Sequence, residues 1–287
     1  MSIVTRFAPS PNGLLHVGHA FSALFSERFA RARGGRFLLR IEDIDTTRAR
    51  EAFIAAIEED LRWLGLEWER PVRRQSARMA AYRAALDALR GQGLLYPCFC
   101  SRRQVAEAAA AGGGEVVRDP DGAPLYPGTC RHMSAEERAE RLAAGQSPAW
   151  RLDMAAALRR LSAPLFWREE GRGPGGESGR IAARPESWGD VILARRDIGV
   201  SYHVAVVVDD ADQGVSHVTR GADLFHATAV HRLLQELLGL QQPAWVHHRL
   251  LTDAEGRKLS KSRGDASLRA LREAGVSARR LRRELGF

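Results

Sequence analysis

Three groups of residues in this chain have types and spacings that could do chemistry. The first is His16 and His19, three apart and just downstream of Pro9, Pro11 and Gly13. If a helix begins there, the two histidines share one face. The start of a helix also presents unbonded N–H groups and the positive end of a dipole, which suits an anion. Two imidazoles at that place can hydrogen-bond phosphate oxygens. Gly13 would let the chain turn tightly, and Gly18 would let a ligand come close to the helix. The second group is Lys258-Leu259-Ser260-Lys261-Ser262, which holds both of the chain's lysines among 43 basic residues. An ammonium is a compact, mobile point charge, whereas a guanidinium is a broad planar fork. Lysine kept at one Ser- and Gly-flanked run therefore suits a clamp on nucleotide phosphates. The third group is Cys98 and Cys100, followed by Cys130 after a turn-rich stretch. Thiols at such short spacing suit a tetrahedral metal. Their odd number speaks against a disulfide framework.

These residues need elements to position them. Residues 3–7 read as a short strand and the Pro/Gly run after it as a turn. Residues 16–33 read as a helix with Val17, Phe21, Leu24, Phe25 and Phe29 on one side, stopped by Gly34-Gly35. Residues 36–41 read as a buried strand. Strand, turn, helix, strand is the opening of a parallel α/β sheet. Phe53, Ile57, Leu61 and Leu64 fall at helical spacing, as do Met79, Tyr82, Leu86 and Leu89 ahead of Gly91 and Gly93. From Cys98 to about residue 135 the texture shifts to Ala/Gly tracts with Pro120, Pro124 and Pro127, an insertion between two halves of the sheet. Residues 171–179 read as a mobile Gly-rich loop. Residues 191–193 and the Val-rich run 204–208 read as buried strands of the second half. Residues 227–238 read as an amphipathic helix, and two short helices are expected after Gly264.

A chain of 287 residues can bury a core as one large or two modest domains. Its 27% charged and 45% apolar residues are those of a water-soluble globular protein and exclude a disordered or membrane-embedded class. No apolar run reaches membrane-spanning length, and the first residues lack an export signal, so a cytoplasmic monomer is the expectation. The net charge is +8. Ten basic and three acidic residues lie from Arg257 onward, so the excess sits near the C-terminus. A surface of that kind attracts nucleotides or RNA.

Arg6-Phe7-Ala8-Pro9-Ser10-Pro11-Asn12-Gly13-Leu14-Leu15-His16-Val17-Gly18-His19 resembles the HIGH motif of class I aminoacyl-tRNA synthetases, and the lysine run at 258–262 resembles their KMSKS motif. Both occur in the expected order, and the resemblance spans residues 5–262. The segments Arg6–Ser10, Arg40–Asp45, Val206–Asp210 and Arg220–Asp223 are similar to the glutamyl members. Only 25 residues follow Ser262. In that respect the chain resembles the shortened paralogues, the glutamyl-queuosine tRNA(Asp) synthetases, rather than the longer glutamyl-tRNA synthetases with their helical anticodon-binding domain.

The resemblance implies an α/β fold with a Rossmann-type parallel sheet, an inserted zinc-binding subdomain, a short C-terminal helical segment and no anticodon-binding domain. It divides the chain at 1–97, 98–185, 186–250 and 251–287: first half-sheet, insertion with acceptor-binding region, second half-sheet, and lysine loop with helical tail. It implies ATP with Mg2+ as co-substrate, one structural Zn2+, and L-glutamate and the queuosine-bearing anticodon stem-loop of tRNA(Asp) as partners. Glutamate would be held by Arg6, Phe7, Ala8, Pro9, Ser10, Glu42, Tyr202 and Arg220. Arg6 would meet the side-chain carboxylate, and Arg220 could serve the same pocket. Glu42 would meet the α-ammonium. ATP would be held by His16, Gly18, His19, Lys258 and Lys261, with His16, His19 and Lys261 stabilising the transition state. Zinc would be held by Cys98, Cys100, Tyr126 and Cys130, with His132 the alternative to Tyr126. The implied activity is glutamyl-adenylate formation followed by transfer to queuosine. The competing readings are a minimal glutamyl-tRNA synthetase acting on the 3′ end of tRNA(Glu), a catalytically silent RNA- or nucleotide-binding regulator, and a related nucleotidyltransferase making a small metabolite.

Overall fold

The computed structural model describes residues 2–111, 114–252 and 266–287. Strand β1 (Val4–Phe7) is buried on both faces, as a strand covered by helices on either side must be. It leads through the Pro/Gly turn into α1 (Val17–Arg31), whose apolar stripe packs back on the sheet. Strands β2 (Arg36–Ile41) and β3 (Glu69–Arg74) follow, with α2 (Glu51–Trp63) between them, and β1, β2 and β3 run parallel. The later parallel strands are β9 (His217–Gly221) and β10 (Ala244–His248), paired from Ala244↔His217 to His248↔Gly221. Strand β6 (Phe166–Glu169) runs parallel to β10 and forms a hairpin with β7 (Gly179–Ala182). The Ser216 N–H donates to the Val4 carbonyl at 3.0 Å, which sets the first three strands beside the other four.

Helix α3 (Met79–Gly91) leads to a second sheet, antiparallel, made by β4 (Leu95–Cys98), β5 (Ala149–Leu152) and β8 (Ile192–Ala194). Between β4 and β5 lie α4 (Arg102–Ala110) and α5 (Ala135–Ala143), neither of which buries a residue. After β5 comes α6 (Met154–Arg159). Helices α7 (Tyr202–Asp212) and α8 (Thr228–Leu237) pack with α3 over the main apolar core. The chain closes with α9 (Leu268–Glu273) and α10 (Ala278–Leu285), whose Leu268, Leu281 and Leu285 join the core around α1. The two closing helices and the helix expected over 227–238 are present.

Two strand expectations need correction. The strand near 191–193 exists as β8 but pairs antiparallel with β5 and does not extend the parallel sheet. The Val-rich run 204–208 is helical, within α7. A short apolar run that is buried all round carries no periodicity to separate helix from strand. Val204, Ala205, Val206 and Val207 are each at most 2% exposed, so packing overrides the β preference of valine. The helical form also places Asp209 and Asp210 where buried arginines need them.

Among the described residues no helix is long and apolar enough to cross a membrane.

Candidate active site and thiol cluster

A cleft of about 570 Å³ opens at the carboxyl ends of β1, β2, β9 and β10. It is lined by Arg6, Phe7, Ala8, Pro9, Ser10, His16, Gly18, His19, Glu42, Tyr202 and Arg220. Every residue expected from sequence to meet glutamate or ATP is therefore in one cavity, apart from Lys258 and Lys261, which lie outside the described residues. In open α/β sheets ligands bind at this end of the strands.

His16 is the N-cap of α1. Its Nδ1 accepts the Gly18 N–H at 3.0 Å, and the His19 Nδ1 accepts the His16 N–H at 3.2 Å. The ring centroids lie 3.9 Å apart with the planes tilted by 49°. With each Nδ1 accepting, the ring proton of each neutral imidazole resides on Nε2, a donor suited to phosphate oxygen. Gly18 has a role beyond the one expected of it. A Cβ there would lie 2.9 Å from the His16 Cε1, so the glycine makes room for the capping ring.

Beneath the cleft floor lies a buried charge cluster. Arg40 is fully buried, and its Nη1 donates to Asp210 Oδ1 at 2.6 Å and its Nη2 to Glu42 Oε1 at 3.1 Å. The Arg6 Nε donates to the same Asp210 oxygen at 2.9 Å and its Nη1 to the Thr219 carbonyl at 3.1 Å. Asp209 accepts from Tyr82, Gln75 and Arg73. Burial opposes the Asp210 charge, but Arg6 and Arg40 outweigh it and hold its pKa below the usual carboxylate value. Glu42 goes the other way: burial raises its pKa, and Arg40 and Arg6 offset only part of that. Its carboxylate is an anion short of positive charge.

Arg220 is the matching cation. It is 6% exposed, and among the described residues no carboxylate lies within ion-pair distance of it. It is held by His247, His231 and Thr228 instead. Burial lowers its pKa, with Tyr202 opposing. Sequence reasoning did not find Arg40, Asp210 or these histidines as a working set. The weak signal was the adjacency of two aspartates at 209–210 and the crowding of histidines at 226, 231, 247 and 248.

The three cysteines come together away from the cleft. The Sγ atoms of Cys98, Cys100 and Cys130 lie within 4.8 Å of one another, Cys100 and Cys130 being 3.5 Å apart. A tetrahedral zinc with bonds of about 2.3 Å spaces its sulfurs about 3.8 Å apart, so the cluster fits that ion. Tyr126 Oη is 3.6 Å from Cys100 Sγ and accepts the Cys130 N–H at 2.7 Å. His132 is exposed and outside the cluster. A hydrogen-bond hub ties this subdomain to the body: Asp190 accepts from Tyr96, Arg131 and the Met154 N–H.

The sheet order, the histidine-capped helix and a cleft at the strand ends define an α/β fold with a parallel sheet and a ligand-sized cleft at its carboxyl edge. The chain belongs to the family described as tRNA synthetases class I (E and Q), catalytic domain, whose model matches residues 2–285. Membership makes it an enzyme of the ligase class. It is 46% identical to a glutamyl-Q tRNA(Asp) synthetase of Rhodobacter capsulatus over 99% of this chain and 100% of that one. It is 41% identical to glutamate–tRNA ligase 2 of a Methylobacterium species over 96% of this chain, but spans 58% of that ligase. A crystal structure of glutamate-tRNA synthetase from Elizabethkingia anophelis superposes with a TM-score of 0.75 at 28% identity, covering 92% of this chain and 54% of that one. The chain thus spans about half the length of that solved structure.

Proposed function

We propose that this protein activates L-glutamate with ATP and Mg2+ and transfers it to the queuosine base of tRNA(Asp). The observation that carries the reading is the pairing, in one cleft, of an under-compensated cation and an under-compensated anion beside the histidine-capped start of α1. Arg220, in place of the expected Arg6, suits the side-chain carboxylate of glutamate, because Arg6 is already paired with Asp210 at 2.9 Å, and Glu42 suits its α-ammonium. The α-carboxylate oxygen attacks the α-phosphorus of ATP as the bond to pyrophosphate breaks. His16 and His19 donate from Nε2 to phosphate oxygens as charge develops there, and positioning supplies most of the acceleration. Magnesium bound with ATP would supply charge neutralisation at the phosphates. Lys261 and Lys258, which lie outside the described residues, would add positive charge at the same phosphates. In the second step a hydroxyl oxygen of queuosine attacks the carbonyl carbon and passes its proton to the adenylate phosphate as the acyl–oxygen bond to AMP breaks and AMP leaves.

End-to-end identity with the Rhodobacter relative supports the queuosine acceptor. The Methylobacterium match keeps the 3′ end of tRNA(Glu) as a second reading. Labelled glutamate, ATP and magnesium offered with tRNA(Asp), with or without queuosine, and with tRNA(Glu) decide between them. Label is expected only on queuosine-bearing tRNA(Asp), and is expected to survive removal of its 3′ adenosine. Label on tRNA(Glu) would establish the second reading, and no adenylate at all would refute both. For the RNA itself, α10 offers exposed Arg279 and Arg283 beside Trp63 and Phe287. Arg280 is shared with Glu284, and Arg282 donates to the Leu64 carbonyl.

The three cysteines and Tyr126 would hold one zinc ion that fixes the insertion. The purified protein is expected to carry one zinc per chain by atomic emission. Cys100→Ser is expected to lose the metal and to lower the melting midpoint by about 5–10 °C. Unchanged metal content in that variant would remove Cys100 from the ligand set.

A further inference from the structure

We infer that Glu169 and His247 form a positioning pair that reserves the Arg220 charge for the substrate, by fixing His247 as the tautomer with its proton on Nδ1. The inference rests on the reading of Arg220 as the receptor for a glutamate carboxylate. An arginine side chain can only donate. The Arg220 Nε donates to His247 Nε2 at 3.0 Å, Nη1 to His231 Nδ1 at 3.1 Å, and Nη2 to Thr228 Oγ1 at 2.7 Å. Each of those ring nitrogens must therefore present a lone pair. The His247 proton is left on Nδ1, where it donates to Glu169 Oε2 at 2.6 Å. By the same logic the His231 proton is on Nε2 and donates to His203 Nδ1 at 3.1 Å.

Glu169 enforces this state because a carboxylate only accepts. Its other oxygen takes the backbone N–H groups of His247 and Gly171, both at 2.9 Å. Parallel pairing of β6 with β10 brings the two side chains together, and Gly171 follows the His247 backbone closely. A Cβ on Gly171 would lie 2.2 Å from the His247 carbonyl oxygen. The pair is 2% exposed on both sides. Burial works against the Glu169 charge, yet the His247 hydrogen bond keeps its pKa below the usual carboxylate value.

The arrangement separates holding a guanidinium from neutralising it. Arg6 shows the alternative, a direct pair with Asp210. With an imidazole interposed, Glu169 orients Arg220 without occupying its N–H groups. Three of the five guanidinium protons are assigned to His247, His231 and Thr228, which leaves one on each terminal nitrogen to be shared between the neighbouring Tyr202 and a ligand carboxylate.

The test is Glu169→Gln, His247→Leu and His247→Gln, read by glutamate-dependent ATP–pyrophosphate exchange and by 15N NMR of the histidine rings in the full-length protein. In E169Q the amide oxygen satisfies the backbone N–H groups and its NH2 faces Nδ1, so the His247 proton moves to Nε2, against Arg220. The glutamate KM is expected to rise by about tenfold or more, with kcat within about threefold and the ATP KM unchanged. H247Q keeps a carbonyl acceptor for Arg220 and is expected to recover most of the affinity lost in H247L. An unchanged glutamate KM in E169Q, or equal losses in the two His247 variants, overturns the proposal while leaving the functional reading intact. A wild-type His247 found protonated on Nε2 overturns it without any variant. Absence of glutamate-dependent exchange in the wild type removes the functional reading and the proposal with it.

Discussion

Arg220→Leu is expected to cut kcat/KM for glutamate in ATP–pyrophosphate exchange by about a thousandfold, since removing one partner of a buried, hydrogen-bonded charge pair costs about 2–5 kcal/mol. Most of the loss should fall on the glutamate KM, and the ATP KM should stay near its starting value. The reason is the absence of a substitute. Arg6 lines the same cleft, but its charge is shared with Asp210. Arg220→Lys should recover only a part, because one ammonium cannot meet His247, His231 and Thr228 while also offering a fork to a carboxylate. Steady-state kinetics with both substrates varied checks this. A variant whose ATP KM rises in parallel would place Arg220 outside the glutamate pocket.

The second large effect is on stability. Arg40→Leu would leave Glu42, Asp209 and Asp210 with one cation fewer in a buried site, and breaking a buried ion pair costs about 3–5 kcal/mol. Urea unfolding at pH 7 should show a loss of that size. The pH dependence gives the cause a signature. In the wild type the pKa of Asp210 is depressed from 3.8, so the stability it contributes is present above that value and is lost as pH falls through the folded pKa. Glu42 has the opposite sign. Its pKa is raised from 4.5, so its contribution is full below 4.5 and is lost as pH rises through the folded value. Without Arg40 both groups move up, and the variant is penalised most where they are ionised. The gap between wild type and variant should therefore narrow as pH falls from 7, first above 4.5 as Glu42 is protonated and then on to below 3.8 as Asp210 is. A constant gap would point to lost packing rather than charge.

The contrast between His16 and Arg220 shows what sequence can reveal. The two capping histidines are oriented by backbone N–H groups no more than three residues away. Their aim is set by local chain geometry, so their spacing and the turn before them were readable. The residues that orient Arg220 come from β10, α8 and, through His247, β6, up to 78 residues apart. No periodicity marks such a set. The cleft residues Arg6 to Ser10, Glu42 and Tyr202 were found by resemblance, and the fold brings them together. The Val-rich run was misread because its surroundings, not its own preference, make it a helix. Cys98 and Cys100 are legible by their short spacing, and Cys130 because it is the one other cysteine in the sequence.

The charge cluster also constrains how the chain is assembled. Arg6 and Arg40 come from its first forty residues, and Asp210 lies 204 and 170 positions later. Contacts so distant in sequence close late, after the entropy of a long loop has been lost. During synthesis both arginines emerge long before Asp210 exists, and until then Arg6 has water for a partner and Arg40 only its near neighbour Glu42. The first sheet strands therefore cannot reach their final dry packing as an independent unit. The two halves of the fold are joined by electrostatic need as much as by apolar contact, and a fragment ending before α7 should behave as an open, hydrated intermediate instead of a folded half.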